Sequence, residues 1–353
     1  MVKDSELVER VRRIAPGKPL RHALNDIQQA RTGALLFFVA DILECKGLVQ
    51  PGLILEAPFT PYRLYELAKM DGAIVVSEDL STIIAANVQL TPDTSIHTNQ
   101  TGMRHRVAER MSKQTGKMLI AISKRRNTIT LFFKDHMHVL APVEILTAEV
   151  NQRVRTAERY SQAFLNGLET VDSLERANVL SLYEVMRTLE KGLLTVLVSK
   201  EAELPIAELG DQGRLAEMQL SEILYEIQED LENLTLDFSR EQIKNDEIDK
   251  FLSRFSSLSE REILNSSTIA RLMGYEQLTV AQMMEMNVKS LGIRFVRQIP
   301  RIPRHIALNI GNYFGSLANL LLSDEEELKH VDGIGERRAS SIKHAIDTYL
   351  KRL

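Results

Sequence analysis

Lys69-Met70-Asp71-Gly72-Ala73-Ile74-Val75-Val76 sets a carboxylate and a glycine at the mouth of an apolar, β-branched strand. About thirty residues further on, Thr101-Gly102-Met103-Arg104-His105-Arg106 sets a glycine turn and two arginines at the start of a helix. A carboxylate can hold a divalent ion, and small residues let a nucleotide approach the backbone. Arginines at a helix start can fork onto phosphate oxygens beside free backbone donors. A lone Asp-Gly is weak evidence, but the two stretches together read as a metal-assisted nucleotide site carried by strands and helices.

The residues around these stretches support that reading. Leu7, Val8, Val11 and Ile14 recur at helical spacing, Pro16-Gly17 breaks the pattern, and 20–30 gives a second helix with Leu20, Leu24 and Ile27 on one side. Short apolar runs at 34–39, 53–55, 73–76, 83–86, 118–122 and 128–133 are bounded by glycine, aspartate or asparagine and predict strands. Helical segments at 64–70 and 107–115 separate them. Residues 1–145 are therefore expected to form an α/β domain with a mixed sheet. From Leu146 the apolar positions keep to three- and four-residue steps through Val150, Val154, Ala157, Phe164, Leu168 and Val171, and similar stripes run through 179–198 and 215–234. Residues 146–289 are expected to be a helical spine devoted to packing and self-association, and 290–353 a final helical module.

That module contains Val331-Asp332-Gly333-Ile334-Gly335. Ser323-Asp324-Glu325-Glu326 before it reads as a capping box, with Ser323 capping a short helix and Glu326 reaching back. Leu328 and Val331 supply the apolar face, and Ala339, Ile342, Ala345 and Ile346 that of the next helix. A turn without Cβ atoms can present bare N–H groups to a phosphate at a helix start. This spacing resembles a helix-hairpin-helix motif, with Gly333, Ile334, Gly335, Arg337, Arg338 and Lys343 as its DNA-binding residues. Such a turn reads backbone rather than bases. Upstream, Ile299-Pro300-Arg301-Ile302-Pro303-Arg304-His305-Ile306-Ala307 repeats the apolar rhythm as a degenerate first copy, with Arg301 and Pro303 where the glycines would lie.

Composition narrows the alternatives. With 353 residues, 44% of them hydrophobic and 26% charged, the chain is long enough for two or three cored domains. A net charge of -4 argues against a surface that coats DNA, so any DNA site must be local. Cys45 is the only cysteine, which excludes an internal disulfide and a multi-cysteine zinc site. The longest apolar run, Gly33 to Ala40, falls short of the roughly 20 residues of a membrane helix. Met1-Val2-Lys3-Asp4-Ser5-Glu6 lacks the apolar core of a signal peptide. A cytoplasmic location without membrane attachment is expected, with nucleoid association left open.

The Asp-Gly-Ala and Arg-His-Arg motifs, the helical spine and the terminal hairpin, in that order and over essentially the whole chain, resemble the DNA integrity scanning diadenylate cyclases. The resemblance implies condensation of two ATP molecules into cyclic di-AMP and two pyrophosphates, with Mg²⁺ or Mn²⁺ as cofactor. It also implies two catalytic domains meeting face to face, a homo-octamer, and binding of branched DNA such as Holliday junctions that lowers the cyclase rate. Asp71 matches the metal-binding and catalytic aspartate. Arg104, His105 and Arg106 match the phosphate-binding catalytic triplet. Gly72, Ala73, Leu90, Gly102, Met103, Val107, Ser123 and Arg126 match nucleotide-binding positions, with Lys124 standing where arginine is common. The family generally carries threonine where this chain has Met103. Two rival readings remain open. Lys69-Met70-Asp71-Gly72 also fits the Lys-x-Asp-Gly nucleophile motif of polynucleotide ligases, and a noncatalytic DNA-junction scaffold would bind the nucleotide only as a ligand.

Overall fold

The structure, a computed structural model, describes residues 2–50 and 52–351. It divides into two compact units: residues up to Val150 together with Glu203–Glu217, and Asn151–Ala202 together with residues from Met218 onward.

The first unit contains helices α1 (Val2–Arg13), α2 (Pro19–Gln29), α3 (Pro61–Leu67) and α4 (Met103–Thr115). Its strands are β1 (Ala34–Val39), β2 (Val49–Gln50), β3 (Leu53–Pro58), β4 (Ala73–Ser77), β5 (Thr82–Leu90), β6 (Met118–Ser123), β7 (Thr128–Phe133) and β8 (His136–Val139). They form one sheet in the order β2-β5-β4-β1-β6-β7-β8, with β3 also paired to β5. β1 runs parallel to β4 and every other strand pairing is antiparallel, which makes the sheet mixed, as expected.

All six residues of β1 are buried because both sheet faces are covered. Leu36 and Phe38 point into a cluster with Leu20, Leu24 and Ile27 of α2. Leu35, Phe37 and Val39 point the other way, towards Ala108 and Met111 of α4.

Where elements differ from expectation, polar residues are the cause. α4 starts at Met103 rather than 107, because its first turn carries Arg104, His105 and Arg106 and shows no apolar rhythm. α3 starts earlier than 64, where Thr60 accepts a hydrogen bond from the Arg63 backbone N–H at 3.1 Å and Pro61 supplies a preformed first turn. β5 extends to Leu90 through an alternation in which Asn87 and Gln89 face solvent. β2 and β8 carry too little apolar sequence to stand out.

The second unit is helical. Most of α5 (Val143–Arg176), α6 (Leu182–Leu209) and α7 (Arg214–Asp237), whose residues up to Val150 and Glu203–Glu217 belong to the first unit, is followed by α8 (Ile248–Ser256), α9 (Glu260–Ile263), α10 (Ser266–Leu272), α11 (Val280–Glu285) and α12 (Ile293–Arg297). α13 (Arg304–Phe314), α14 (Leu317–Leu322), α15 (Glu325–Lys329) and α16 (Glu336–Leu350) complete it. A continuous apolar core runs from Phe164 on α5 to Ile346 on α16.

The capping box expected at Ser323 is replaced by a different cap. Asp324 accepts the Glu327 backbone N–H at 2.8 Å, while Ser323 is buried and donates to the Leu320 carbonyl at 2.7 Å, closing α14. Glu326 pairs with Lys329 instead of reaching back. A buried hydroxyl must bond the nearest carbonyl, which leaves the solvent-facing carboxylate to cap α15.

Asp237 locks the unit together. The last residue of α7 and fully buried, it accepts the Ile293 N–H at 2.7 Å and the Arg294 Nε–H at 2.9 Å. It thereby caps α12, whose own Gly292 has no side chain to do so. Arg294 also bonds Asp172 at 2.6 Å and Glu175 at 3.3 Å on α5. Asp237→Ala would take away the one fully buried carboxylate partner of the Arg294 guanidinium and leave a helix-start N–H unpaired, so we expect a loss of about 3 kcal/mol, measured as a lower denaturation midpoint with an unchanged slope.

Candidate nucleotide site

Because β1 and β4 are parallel, their starts lie at the same end of the sheet. The antiparallel neighbours β5 and β6 bring their ends there. Gly33, Gly72, Val88–Leu90 and the turn Ser123–Asn127 therefore gather at one sheet end.

β5 bulges at this end. Its register with β4 shifts between Ala73↔Val88 and Val75↔Ala85, and Asn87 takes a φ of +51°. Gly72 packs onto the bulge with a φ of +83°, and a Cβ there would stand 2.9 Å from the Asn87 carbonyl carbon. Gly52 approaches the bulge from the other neighbour, where a Cβ would lie 2.3 Å from the Asn87 oxygen. Side chains are thus excluded on both flanks. Asp71, next to Gly72, is exposed, and its carboxylate makes no hydrogen bond or ion pair among the described residues.

The start of α4 reaches the same end. Arg104 Nη1 lies 3.3 Å from where a Cβ on Gly33 would stand, and the Lys124 Cβ is equally close to that point. Gly102 begins α4 without a side-chain cap, and the Arg106 N–H is bonded to the Gly102 carbonyl at 2.9 Å. The backbone N–H groups of Met103, Arg104 and His105 have no partner among the described residues and form an array suited to an anion. Arg126 Nη2 lies 3.4 Å from Thr101 Oγ1, and the Arg126 N–H donates to Ser123 Oγ at 3.0 Å, which ties the β6–β7 turn to the segment before α4.

His105 sits half-buried with its ring edge-on to Phe132, 6.0 Å between centroids. Burial holds its pKa below the ordinary histidine value, and the charges of Arg126 and Arg104 lower it further. Met103 is 72% exposed, with its sulfur 3.6 Å from Arg106 Nη2. Of the expected residues, Asp71, Gly72, Gly102, Met103, Arg104, His105, Arg106, Ser123 and Arg126 come together at the open sheet end. Ala73 and Leu90 lie beneath them in the core against α4, with Val107 packed on that core. Gly33 and Gly52 were not singled out from the sequence. A glycine directly before the apolar run of β1 was the available signal for Gly33.

No group of three His, Cys, Asp or Glu side chains able to hold a metal exists among the described residues. A single free carboxylate fits an ion such as Mg²⁺, which binds through one or two carboxylates and completes its shell with water and substrate phosphates. Lys69 is paired with Glu66 at 2.7 Å, and that hydrogen bond raises its pKa. A lysine nucleophile needs the opposite shift.

At the C-terminal end, α15 and α16 flank a turn in which Gly333 has a φ of +83°, and a Cβ there would lie 2.3 Å from Ile306 Cδ1 of α13. The turn between α12 and α13 is built the same way. Arg301 takes a φ of +67° at the matching position, and Pro303 begins α13 as Gly335 begins α16. Arg338 donates to the Gly333 carbonyl at 2.7 Å and braces the turn, while Lys343 donates to the Ser323 carbonyl at 3.1 Å and ties α16 to the segment before α15. Gly335 and Arg337 are exposed, whereas Ile334 is buried in the core.

Comparison with known proteins gives a consistent picture. A family model described as DisA bacterial checkpoint controller nucleotide-binding matches residues 21–137, and one described as DisA bacterial checkpoint controller linker region matches residues 140–282. The DNA integrity scanning protein DisA of Thermotoga maritima is 40% identical over 347 residues, covering 98% of this chain and 96% of that protein. The protein of the same name from Acetivibrio thermocellus is 38% identical over 341 residues, covering 96% and 93%. A crystal structure of DacA from Staphylococcus aureus aligns with 41% of this chain and 93% of its own at 18% identity and a TM-score of 0.30, too low to carry an argument. With family models over the sheet unit and the long helices and full-length relatives near 40% identity, the chain belongs to the DisA family of bacterial checkpoint controllers, the DNA integrity scanning diadenylate cyclases.

Proposed function

We propose that this chain condenses two ATP molecules into cyclic di-AMP with release of two pyrophosphates, and that branched DNA held by the C-terminal turns lowers the rate. The observation that carries the catalytic reading is the convergence, at one sheet end, of the free Asp71 carboxylate, the glycine-lined bulge at Asn87 and the uncapped start of α4 with Arg104 and Arg106. In this reading residues 1–145 are the cyclase, 146–289 the spine and 290–353 the helix-hairpin-helix module.

The free N–H groups of Met103, Arg104 and His105 receive phosphate oxygens, and the arginines stabilise the charge that develops at the α-phosphate. Gly72 and Ala73 let the nucleotide lie against backbone, with Leu90 and Val107 supporting that wall from the core. Asp71 would hold Mg²⁺ or Mn²⁺, which when bound neutralises triphosphate charge and favours deprotonation of the attacking hydroxyl. Each 3′-hydroxyl forms a bond to the α-phosphorus of the other ATP, the bond to pyrophosphate breaks, and the hydroxyl proton is lost to solvent. One site holds one ATP, so two first units must face each other, and we extend this to a homo-octamer. Gly333, Ile334, Gly335, Arg337, Arg338 and Lys343 form the proposed DNA contact, with Arg337 and the backbone free to reach phosphate, Arg338 shaping the turn and Lys343 tying α16 to the segment before α15. No helix among the described residues is long and apolar enough to cross a membrane. A cytoplasmic protein that visits the nucleoid completes the proposal.

The pairing of Lys69 with Glu66 disfavours the ligase alternative. The scaffold alternative differs from the cyclase in making no product.

Purified protein with ATP and Mg²⁺ or Mn²⁺ should yield cyclic di-AMP by liquid chromatography and mass spectrometry, and folded Asp71→Asn should yield none. Adding a four-way junction should slow wild-type turnover. Product from Asp71→Asn would remove the metal role, and a flat rate despite measured junction binding would remove the coupling. Met103 cannot donate the hydroxyl bond of the family's threonine, a bond to a charged group worth about 1.5–3 kcal/mol. Met103→Thr should therefore raise turnover about ten- to a hundredfold, and an unchanged or lower steady-state rate would refute this. His105 should titrate below the ordinary histidine range by NMR and move upward when ATP phosphates offset Arg104 and Arg126. A nucleotide-free pKa at or above that range would count against its place between the two arginines.

A further inference from the structure

The second unit contains a cavity of about 850 Å³ walled by the C-terminal halves of α5 and α7, by α12 and by Tyr349 of α16. Six carboxylates line it, Glu169, Asp172, Glu175, Glu229, Asp230 and Asp237, against three guanidiniums, Arg176, Arg294 and Arg297. Arg294 is taken up by Asp172, Glu175 and Asp237, and Arg297 by Glu229. An excess of three negative charges remains. It lies at the C-terminal ends of two long helices, where the macrodipole adds further negative potential, and α7 has no basic residue in its last turn. Burial pushes Asp237 up despite Arg294, and Asp230, though reached by solvent, is pushed up by the surrounding protein and by Glu229.

A second observation is independent of the charge count. Asn233 and Ser290 are 3% and 1% exposed, both line the cavity, and Asn233 Oδ1 and Ser290 Oγ have no hydrogen-bond partner among the described residues. Buried acceptors of this kind are normally satisfied. Both can accept from an ammonium group. Arg297 Nε is also without a partner among the described residues, and a water suffices for that donor. The rings of Phe295 and Tyr349, 5.2 Å apart and edge to face, add aromatic wall of the kind that attracts alkylammonium groups. The carboxylates are not clustered as metal ligands among the described residues. Carboxylates that come from two helices and are not grouped as metal ligands, together with buried acceptors and aromatic edges, suit an organic cation with several separated charges rather than a bare ion.

We propose that this cavity is a binding site for a small linear di- or triamine, its ammonium groups received by Asp230, Glu169 and the orphaned oxygens of Asn233 and Ser290. The site lies between the spine helices and α12, the helix that leads into the first of the two matched turns. It uses none of the residues assigned to nucleotide or DNA.

The test is calorimetric titration of spermidine into the full-length protein, compared with Asp230→Asn and Glu169→Gln, both at solvent-accessible positions. Saturable binding at one spermidine per chain is expected, weakened about tenfold or more in each variant. No saturable heat at millimolar spermidine, or affinity unchanged in both variants, would overturn the proposal. Equal displacement of spermidine by Mg²⁺ at matched concentration would also overturn it, since that marks ordinary counterion association. Binding rather than product formation is measured, so the result is independent of the cyclase reading.

Discussion

The parallel pairing of β1 with β4 is the constraint on which the first unit depends. Two adjacent strands that run the same way must present both starts at one end, and the antiparallel β5 and β6 then have to finish there. Four loop-forming ends are concentrated in one place, while both sheet faces are consumed by packing. The polar residues of the region have only that end left to occupy. α4 lies against the face built from Leu35, Phe37 and Val39, which sets its uncapped first turn over Gly33. The bulge at Asn87 removes side chains from the floor and leaves backbone and Asp71 exposed.

The second unit is organised by a charge that has no solvent. Asp237 is buried at the end of α7, and its stability there requires Arg294 and the Ile293 N–H. That requirement ties α5, α7 and α12 to one another more specifically than apolar contact does, because an ion network tolerates only one register. The same crowding of carboxylates leaves a cavity with more acid than base, so one arrangement holds the helices together and shapes a recess. Downstream, two turns of the same build stand side by side, with Gly333 pressed on Ile306. One keeps glycines and exposes its backbone. The other has an exposed Arg301 in the left-handed region and begins α13 with Pro303, which has no N–H to offer.

Much of this was legible residue by residue. Apolar runs buried on both faces, as in β1 and β6, are unambiguous because no charged residue interrupts them, and β7 stays legible because its threonines are β-branched. Strands β2 and β8 were not, since their pairing comes from neighbours rather than from their own composition. The start of α4 was hidden because its first turn carries Arg104, His105 and Arg106 and so shows no apolar rhythm. Asp71, Gly72 and Arg104–Arg106 could be read from motif spacing. Gly33, Gly52 and the bulge could not, because a close approach between backbones is a property of two strands at once. The misplaced cap at Ser323 has the same origin: its burial depends on α14, not on the residues that follow it.

The sequence by itself determined the class of each segment, the identity of the polar groups that converge on the sheet end, and the family, because these rest on local patterns of charge, glycine and apolar spacing. Only the tertiary structure decided that Lys69 is neutralised by Glu66, that Arg338 braces a turn, that Leu90 lies beneath the site, and that an acidic recess forms behind α12. Each of these depends on the side-chain placement and packing that the folded chain settles, for near neighbours such as Lys69 and Glu66 as for residues far apart. Sequence spacing does not determine such placements until the core has closed.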